Sequence, residues 1–172
     1  MRIYIPATLA MLQRLVADGS LWPVNGTAFA VTPRLREAYA EGDDDELGEV
    51  ALREAALASL RLLAIAADEA PDVPLPQRRA VLVADIGDAA PVALRPDLDD
   101  AVVRISEPLS SAEVVAAFVD NAAAEPHVEA AVAVIDAADL GDEDAELTVG
   151  DAQDHDLAWY AVQELPFLLE LL

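Results

Sequence analysis

Cysteine and lysine are both missing from the 172 residues. Without a thiol the chain cannot form disulfides, iron-sulfur clusters, cysteine zinc sites or a cysteine nucleophile. Without a lysine amine it cannot form a Schiff base, attach pyridoxal phosphate or supply the lysine of a P-loop. Histidine is confined to His127 and His155, and the seven glycines are scattered singly, so there is no glycine-rich phosphate loop. No G-x-S-x-G motif occurs. Ser20, Ser59, Ser106, Ser110 and Ser111 stand away from both histidines in sequence, so a Ser-His-Asp set would have to be assembled in three dimensions. The most apolar run, Ala55 to Ala67, contains Arg61 and falls short of the roughly 20 residues of a membrane span. Residues 1 to 12 lack the layout of a secretory signal. A soluble, cytoplasmic protein with no membrane partner is therefore expected.

What the chain does contain is acid and small apolar bulk. Asp and Glu number 33 against ten cations, all of them Arg, for a net charge of -23. Mean hydropathy is nevertheless positive. Such a chain must separate a dry core from an acidic skin. Nucleic acid is a poor partner for that skin, because cations neutralising phosphates supply most of the strength of such complexes. A basic protein is the complementary one. A GC-rich genome and a halophilic host would both produce this bias.

Residues 1–172 read as a single α+β domain, with helices packed on a mixed sheet of four to six strands. Arg2 to Ile5 alternates as a strand that Pro6 ends. Thr8 caps a helix through Leu9, Leu12, Leu15 and Val16, and Gly19 stops it. Thr27 to Val31 reads as a strand, and Thr32-Pro33 as a cap and first-turn proline of a helix to about Tyr39. The body from Leu47 to Ala67, behind an acidic first turn, reads as the central helix. A proline-rich connector over residues 70–77 follows, then strands at RRAVLVADI and Ala101 to Ser106. Ser110-Ser111-Ala112-Glu113 has the capping-box pattern, whereas AAFVD fits strand or helix. A helix from Glu125-Pro126, an acidic loop GDEDAE and a last helix from about Asp154, bent at Pro166, complete the chain. The closing LLELL is expected to dock on the core or on a second copy, making a homo-oligomer. A weak strand-proline-helix echo between RIYIPATLAMLQRLVAD and VVRISEPLSSAEVVAAFVD suits either two related units or chance.

Together RIYIPATLAMLQRL, TAFAVTPRLREAY and HDLAWYAVQEL, in this order and at these distances, resemble a family of short actinobacterial proteins classed as a domain of unknown function. The resemblance spans nearly the whole chain. It implies a cytosolic protein and the GC-rich origin of the composition, and it carries no activity or catalytic residues.

The nearest thing to a functional signature is DAQDHDLAWYAVQEL, residues 151–165. Asp151, Asp154, His155 and Asp156 have metal-ligand chemistry, but a helical clamp needs ligands four apart, where Trp159 and Tyr160 stand. The simpler reading makes Asp154 a helix cap and His155 an exposed first-turn residue. Trp159 then lies beside the apolar stripe as core or contact surface. In VTPRLREAY, Arg34 and Arg36 oppose the helix dipole. Either a bound anion assisted by Thr32 and Arg34, or pairs with nearby carboxylates, would compensate. Arg78-Arg79 reads as a pair that blunts a sheet edge or neutralises nearby acids, and His127 as a surface residue. Asp43, Asp45, Gly48 and Glu54 match calcium-loop positions, but Leu47 replaces a ligand and the stretch reads as helix. The acidic segment from Asp139 has Asp144 where such a loop needs glycine. No catalytic, cofactor or metal residue is assigned.

Two functions fit. The first is a non-catalytic protein-interaction or regulatory domain with a basic protein partner. The alternative is a small-molecule or anion-binding domain, or an enzyme working with Asp, Glu, Arg, Tyr and His. Its candidate pocket comprises Tyr4, Thr8, Thr32, Arg34, Arg36, His155 and Trp159, drawn together from distant segments.

Overall fold

The computed structural model describes residues 1–39, 41–68, 75–87 and 92–172. Five residues of the proline-rich connector, 70–74, lie outside them. The architecture is α+β, and every strand pairing is antiparallel. Strands β1 (Arg2–Ala7), β3 (Thr27–Phe29), β4 (Ala80–Asp85), β5 (Val92–Leu94), β6 (Val102–Ile105), β8 (Val114–Val119) and β9 (Ala158–Ala161) form one sheet in the order β5-β6-β3-β1-β4-β8-β9. A second sheet joins only β2 (Ser20–Leu21) and β7 (Leu109–Ser110). The expected mixed sheet of four to six strands is thus a seven-stranded antiparallel one with a two-stranded companion. No parallel pair arises because the strands adjacent in the sheet run in alternating directions.

The centre of the sheet is made by β1 and β4, whose six residues pair from Arg2 opposite Asp85 to Ala7 opposite Ala80. AVLVAD is almost wholly buried because helices cover both its faces. Pro6 does not end β1: it stays in the ladder opposite Val81. The pairing to β3 carries only Tyr4 opposite Phe29, so the missing proline N–H falls beyond it.

One face of the sheet presents Ile3, Ile5, Leu82, Ala84, Val103 and Ala117. Helices α1 (Leu9–Asp18) and α6 (Leu165–Glu170) cover it with Leu9, Leu12, Leu15, Leu165 and Leu168. Thr8 caps α1 by accepting from the Met11 N–H at 3.3 Å, and Gly19 ends the helix in the left-handed region. The opposite face presents Phe29, Val81 and Val102 to Leu35 of α2 (Pro33–Ala38) and to Leu47, Ala51 and Ala55 of α3 (Asp44–Asp68). Further along α3, Leu60 and Leu63 leave the sheet. They pack on Val128, Ala131 and Ile135 of α4 (Glu125–Asp139) and Val149 and Ala152 of α5 (Glu143–Gln153). Two partners on different sides explain why α3 is apolar around most of its circumference.

Three expectations change. The segment GDEDAE is mostly the first turn of α5, capped by Asp142, whose carboxylate accepts from the Ala145 N–H. The second half of the strand-proline-helix echo contains no helix: β7 leads through a 3-10 turn, Ser111–Glu113, into strand β8, although the capping box at Ser110 is present. The two segments are therefore not repeats of one unit. The last helix does not start at Asp154, which ends α5 instead. Residues 158–161 form the edge strand β9, and helix resumes only at Leu165. Four apolar residues fit either period, and pairing with β8 satisfies backbone groups that an exposed edge would leave to water.

The turn before β3 is a constrained point. Asn25 and Gly26 both have positive φ, and a Cβ on Gly26 would stand 2.5 Å from the Ile105 carbonyl oxygen. Gly26→Ala is expected to cost about 2 kcal/mol or more, from the left-handed backbone together with the clash. It should appear as a lower urea midpoint at unchanged m-value. An unaltered midpoint would contradict this reading of the turn.

Candidate functional site

Helix α3 is seated off-centre. It lies on β1, β4 and β3 and leaves the strip of β8 and β9 on the same face uncovered. Two adjoining grooves, of about 480 and 310 Å³, run along this strip and share Glu49, Leu52 and Phe118. The sheet register sets their floor. Tyr4, Val83 and Ala116 stand opposite one another on β1, β4 and β8, and Val81, Phe118 and Trp159 make the neighbouring row across β4, β8 and β9. Just beyond the Tyr4 row, between Val83 and Ala84, the β4–β8 register shifts, leaving Val115 over as the extra residue of a bulge, 40% exposed on the rim of the smaller groove. Helix α3 supplies Asp45, Gly48, Glu49 and Leu52, whose spacing places them on one helical face.

The larger groove ends on a buried ion pair. Arg79, 1% exposed, donates from Nε and Nη2 to the two carboxylate oxygens of Asp120, at 2.9 and 2.7 Å, and its backbone N–H donates to the same carboxylate at 2.7 Å. Nη1 donates to Gln153 Oε1 and Nη2 also to the His155 carbonyl, each at 2.8 Å. The fork therefore joins the start of β4 to the end of β8 and to the last turn of α5. Gln153 extends the clamp by donating to the Arg53 carbonyl of α3.

Beside this clamp the two histidines meet. His127 Nδ1 lies 2.6 Å from His155 Nε2, with the rings tilted at 38°. One ring must donate and the other accept, so the contact needs at least one neutral imidazole. His127 is exposed, as expected, but it sits at the start of α4 against the turn between α5 and β9. Among the described residues no three or more His, Cys, Asp or Glu side chains converge as a metal site.

Charge around the grooves is unbalanced. Arg2 pairs through both nitrogens with Asp85, at 3.0 and 3.1 Å, and Arg79 is neutralised by Asp120. Asp45, Glu49 and Asp156 on the walls make no ion pair among the described residues. Arg53, the remaining guanidinium, donates to the Gln153 carbonyl. Burial raises the Tyr4 phenol above its usual pKa against the opposing pull of Arg2, and Asp45 and Asp85 add to the rise. Tyr4 thus stays a neutral phenol at ordinary pH.

Of the seven residues proposed from sequence, three meet here. Tyr4 and Trp159 line the smaller groove and His155 the larger. Thr8 is a buried helix cap. Thr32 caps α2, accepting from the Leu35 N–H at 3.1 Å and donating to the Asp100 carbonyl. Arg34 pairs with the Asp100 carboxylate at 3.3 Å, and Arg36 with Asp44. Carboxylates therefore supply the compensation these two cations need at α2. Sequence reasoning missed Glu49, Phe118, Asp120 and Gln153. Of the two readings of Arg78-Arg79, neutralising nearby acids holds, Arg78 pairing with Glu125 and Arg79 with Asp120, whereas blunting an edge does not, because β4 is a central strand. The one available signal was a pair of arginines directly before a fully apolar strand, where a long side chain must either leave the core or find an acid within it.

The chain belongs to a family of unknown function, DUF6912, which it matches over residues 1–169. Neither a curated protein nor a solved structure matches it.

Removing one member of the buried pair leaves the other charge without a counterion. Asp120→Ala is expected to cost about 3 to 5 kcal/mol in urea unfolding, and adding Arg79→Met to restore part of that loss. A double variant as unstable as the sum of the two single ones would show that the pair does not act as a unit.

Proposed function

We propose that this member of the family is a non-catalytic binding domain that takes a basic protein partner in the groove between α3 and β9. The observation that carries the reading is the composition of the groove. It has an apolar floor of Phe118, Val83 and Ala116 beside Leu52 of α3, with Asp45, Glu49 and Asp156, which make no ion pair among the described residues, on its walls. Its two strongest cations, Arg2 and Arg79, are already spent on Asp85 and Asp120. A cationic segment with apolar neighbours complements such a surface, and the net charge of -23 would steer it there at long range. Edge strand β9 adds backbone groups along one lip of the groove. Among the described residues no helix is long and apolar enough to cross a membrane. The competing anion-binding reading is weakened by the pairing of Arg34 and Arg36 with Asp100 and Asp44.

Titration calorimetry with a lysine-rich peptide tests the proposal. Tight binding at low salt should weaken several-fold between roughly 0.05 and 0.3 M NaCl. Asp45→Asn/Glu49→Gln should weaken it by about fivefold or more, in line with two lost charge contacts. Arg34→Ala should leave it unchanged. The control is Glu129→Gln/Asp136→Asn, two exposed carboxylates of α4 outside both grooves. Equal losses in the groove and control variants would mean that attraction is spread over the acidic skin, and the groove reading would fall.

A further inference from the structure

Resting on that reading, we propose that the smaller groove is a subsite for one alkylammonium group of the partner, held between the aromatic rings of Tyr4, Phe118 and Trp159 and countered by Asp45 and Glu49. All five residues line the same 310 Å³ space. Three of the chain's eight aromatic side chains gather there, although they come from β1, β8 and β9. Among the described residues the only contact between rings is the one joining the two histidines, so these three rings stand apart around the floor instead of stacking on one another. A cation that enters between them can be met by the electron-rich face of a ring.

The helix side of the groove completes the chemistry. Asp45 and Glu49 are one turn apart on α3, with Cβ atoms about 6 Å from each other, which lets one ammonium donate to both. Gly48 sits between them. A Cβ there would lie 2.9 Å from the Tyr4 hydroxyl, so the phenol rests against the helix backbone and the groove mouth stays open. Small side chains in the next row, Val83 and Ala116, keep the floor low where a larger residue would fill it. Trp159 is 57% exposed and Val115 40%, apolar surface that the stem of a lysine side chain would cover. Arg2, also on this wall, is held by both oxygens of Asp85 and presents a neutral pair.

A Trp22→Phe background leaves Trp159 as the sole tryptophan and makes its emission the readout. The full chain is titrated separately with n-butylammonium and with n-butanol, a neutral partner of the same stem. Butylammonium should produce a saturable change below roughly 0.1 M, the weak range expected of a single cation–aromatic site, and butanol should not. Tyr4→Phe should retain that response within about twofold, because the ring and not the hydroxyl makes the contact, whereas Tyr4→Leu and Asp45→Asn/Glu49→Gln should reduce it by about tenfold. Circular dichroism checks that each variant is folded. A lysine-rich peptide should compete with butylammonium for the same change, and a free amine that the peptide fails to displace would overturn assignment to a protein side chain. Equal responses to butanol and butylammonium, or no saturation by the cation, would overturn the subsite. If the peptide still binds in a salt- and groove-dependent way in that case, only the subsite falls. If neither binds, the groove reading falls with it.

Discussion

A charge pair with almost no access to water, Arg79 with Asp120, determines how the last third of the chain attaches to the first two. Its guanidinium is desolvated, a cost that is met only because several of its donors find acceptors at short range. Two of those acceptors, Gln153 Oε1 and the His155 carbonyl, belong to the end of α5 and the turn that follows. An apolar pair of similar volume would fill the same space, yet it would leave that turn without its donors. The position of β9, and therefore the outer lip of the groove, follows from where this turn is held.

A second constraint fixes α3. Ser59 donates to the Ala7 carbonyl at 2.7 Å and accepts from the Ala80 N–H at 3.1 Å. Ala7 and Ala80 are partners at the end of the β1–β4 ladder, so one hydroxyl pins the helix over the middle of the sheet. A single helix held there cannot also cover β8 and β9, and α4 and α5 pack on its far half and not on the strands. The groove is what remains of a seven-stranded face after α2 and α3 have been placed on it. Two of its three wall acids, Asp45 and Glu49, come from α3, and Asp45 belongs to an opening turn whose Asp44, Asp45 and Glu46 favour the dipole.

Local chemistry was readable from the sequence wherever a short segment decides its own structure. The caps at Thr8, Gly19 and Thr32-Pro33 and the box at Ser110 all form at their places, because each needs only residues within a turn. Elements set by distant partners were not readable. Residues 158–161 are a strand because β8 offers an edge, and Asp154 ends a helix because Arg79 holds the next carbonyl. Tyr4 and Trp159 could be chosen by type, but their meeting across β4 and β8 depends on register. Phe118 was hidden in AAFVD, whose period decides nothing, and Asp120 looked like any other acid in a chain full of them.

The order of the strands also bears on how the chain reaches this state. The first strand made lies at the middle of the sheet, and Arg2 meets Asp85 only across 83 positions. Its other flank waits for β3, and the far edge waits for β9, near the end. Pairings so remote in sequence make loop closure the slow part of folding. A growing chain would thus carry Ile3, Ile5 and the apolar body of α3 unpaired for much of its synthesis. Through Asp68 the chain holds ten acids against six arginines, and most of the acidic excess follows, so the mutual repulsion that keeps such an intermediate apart from its neighbours builds up only as the later elements are made.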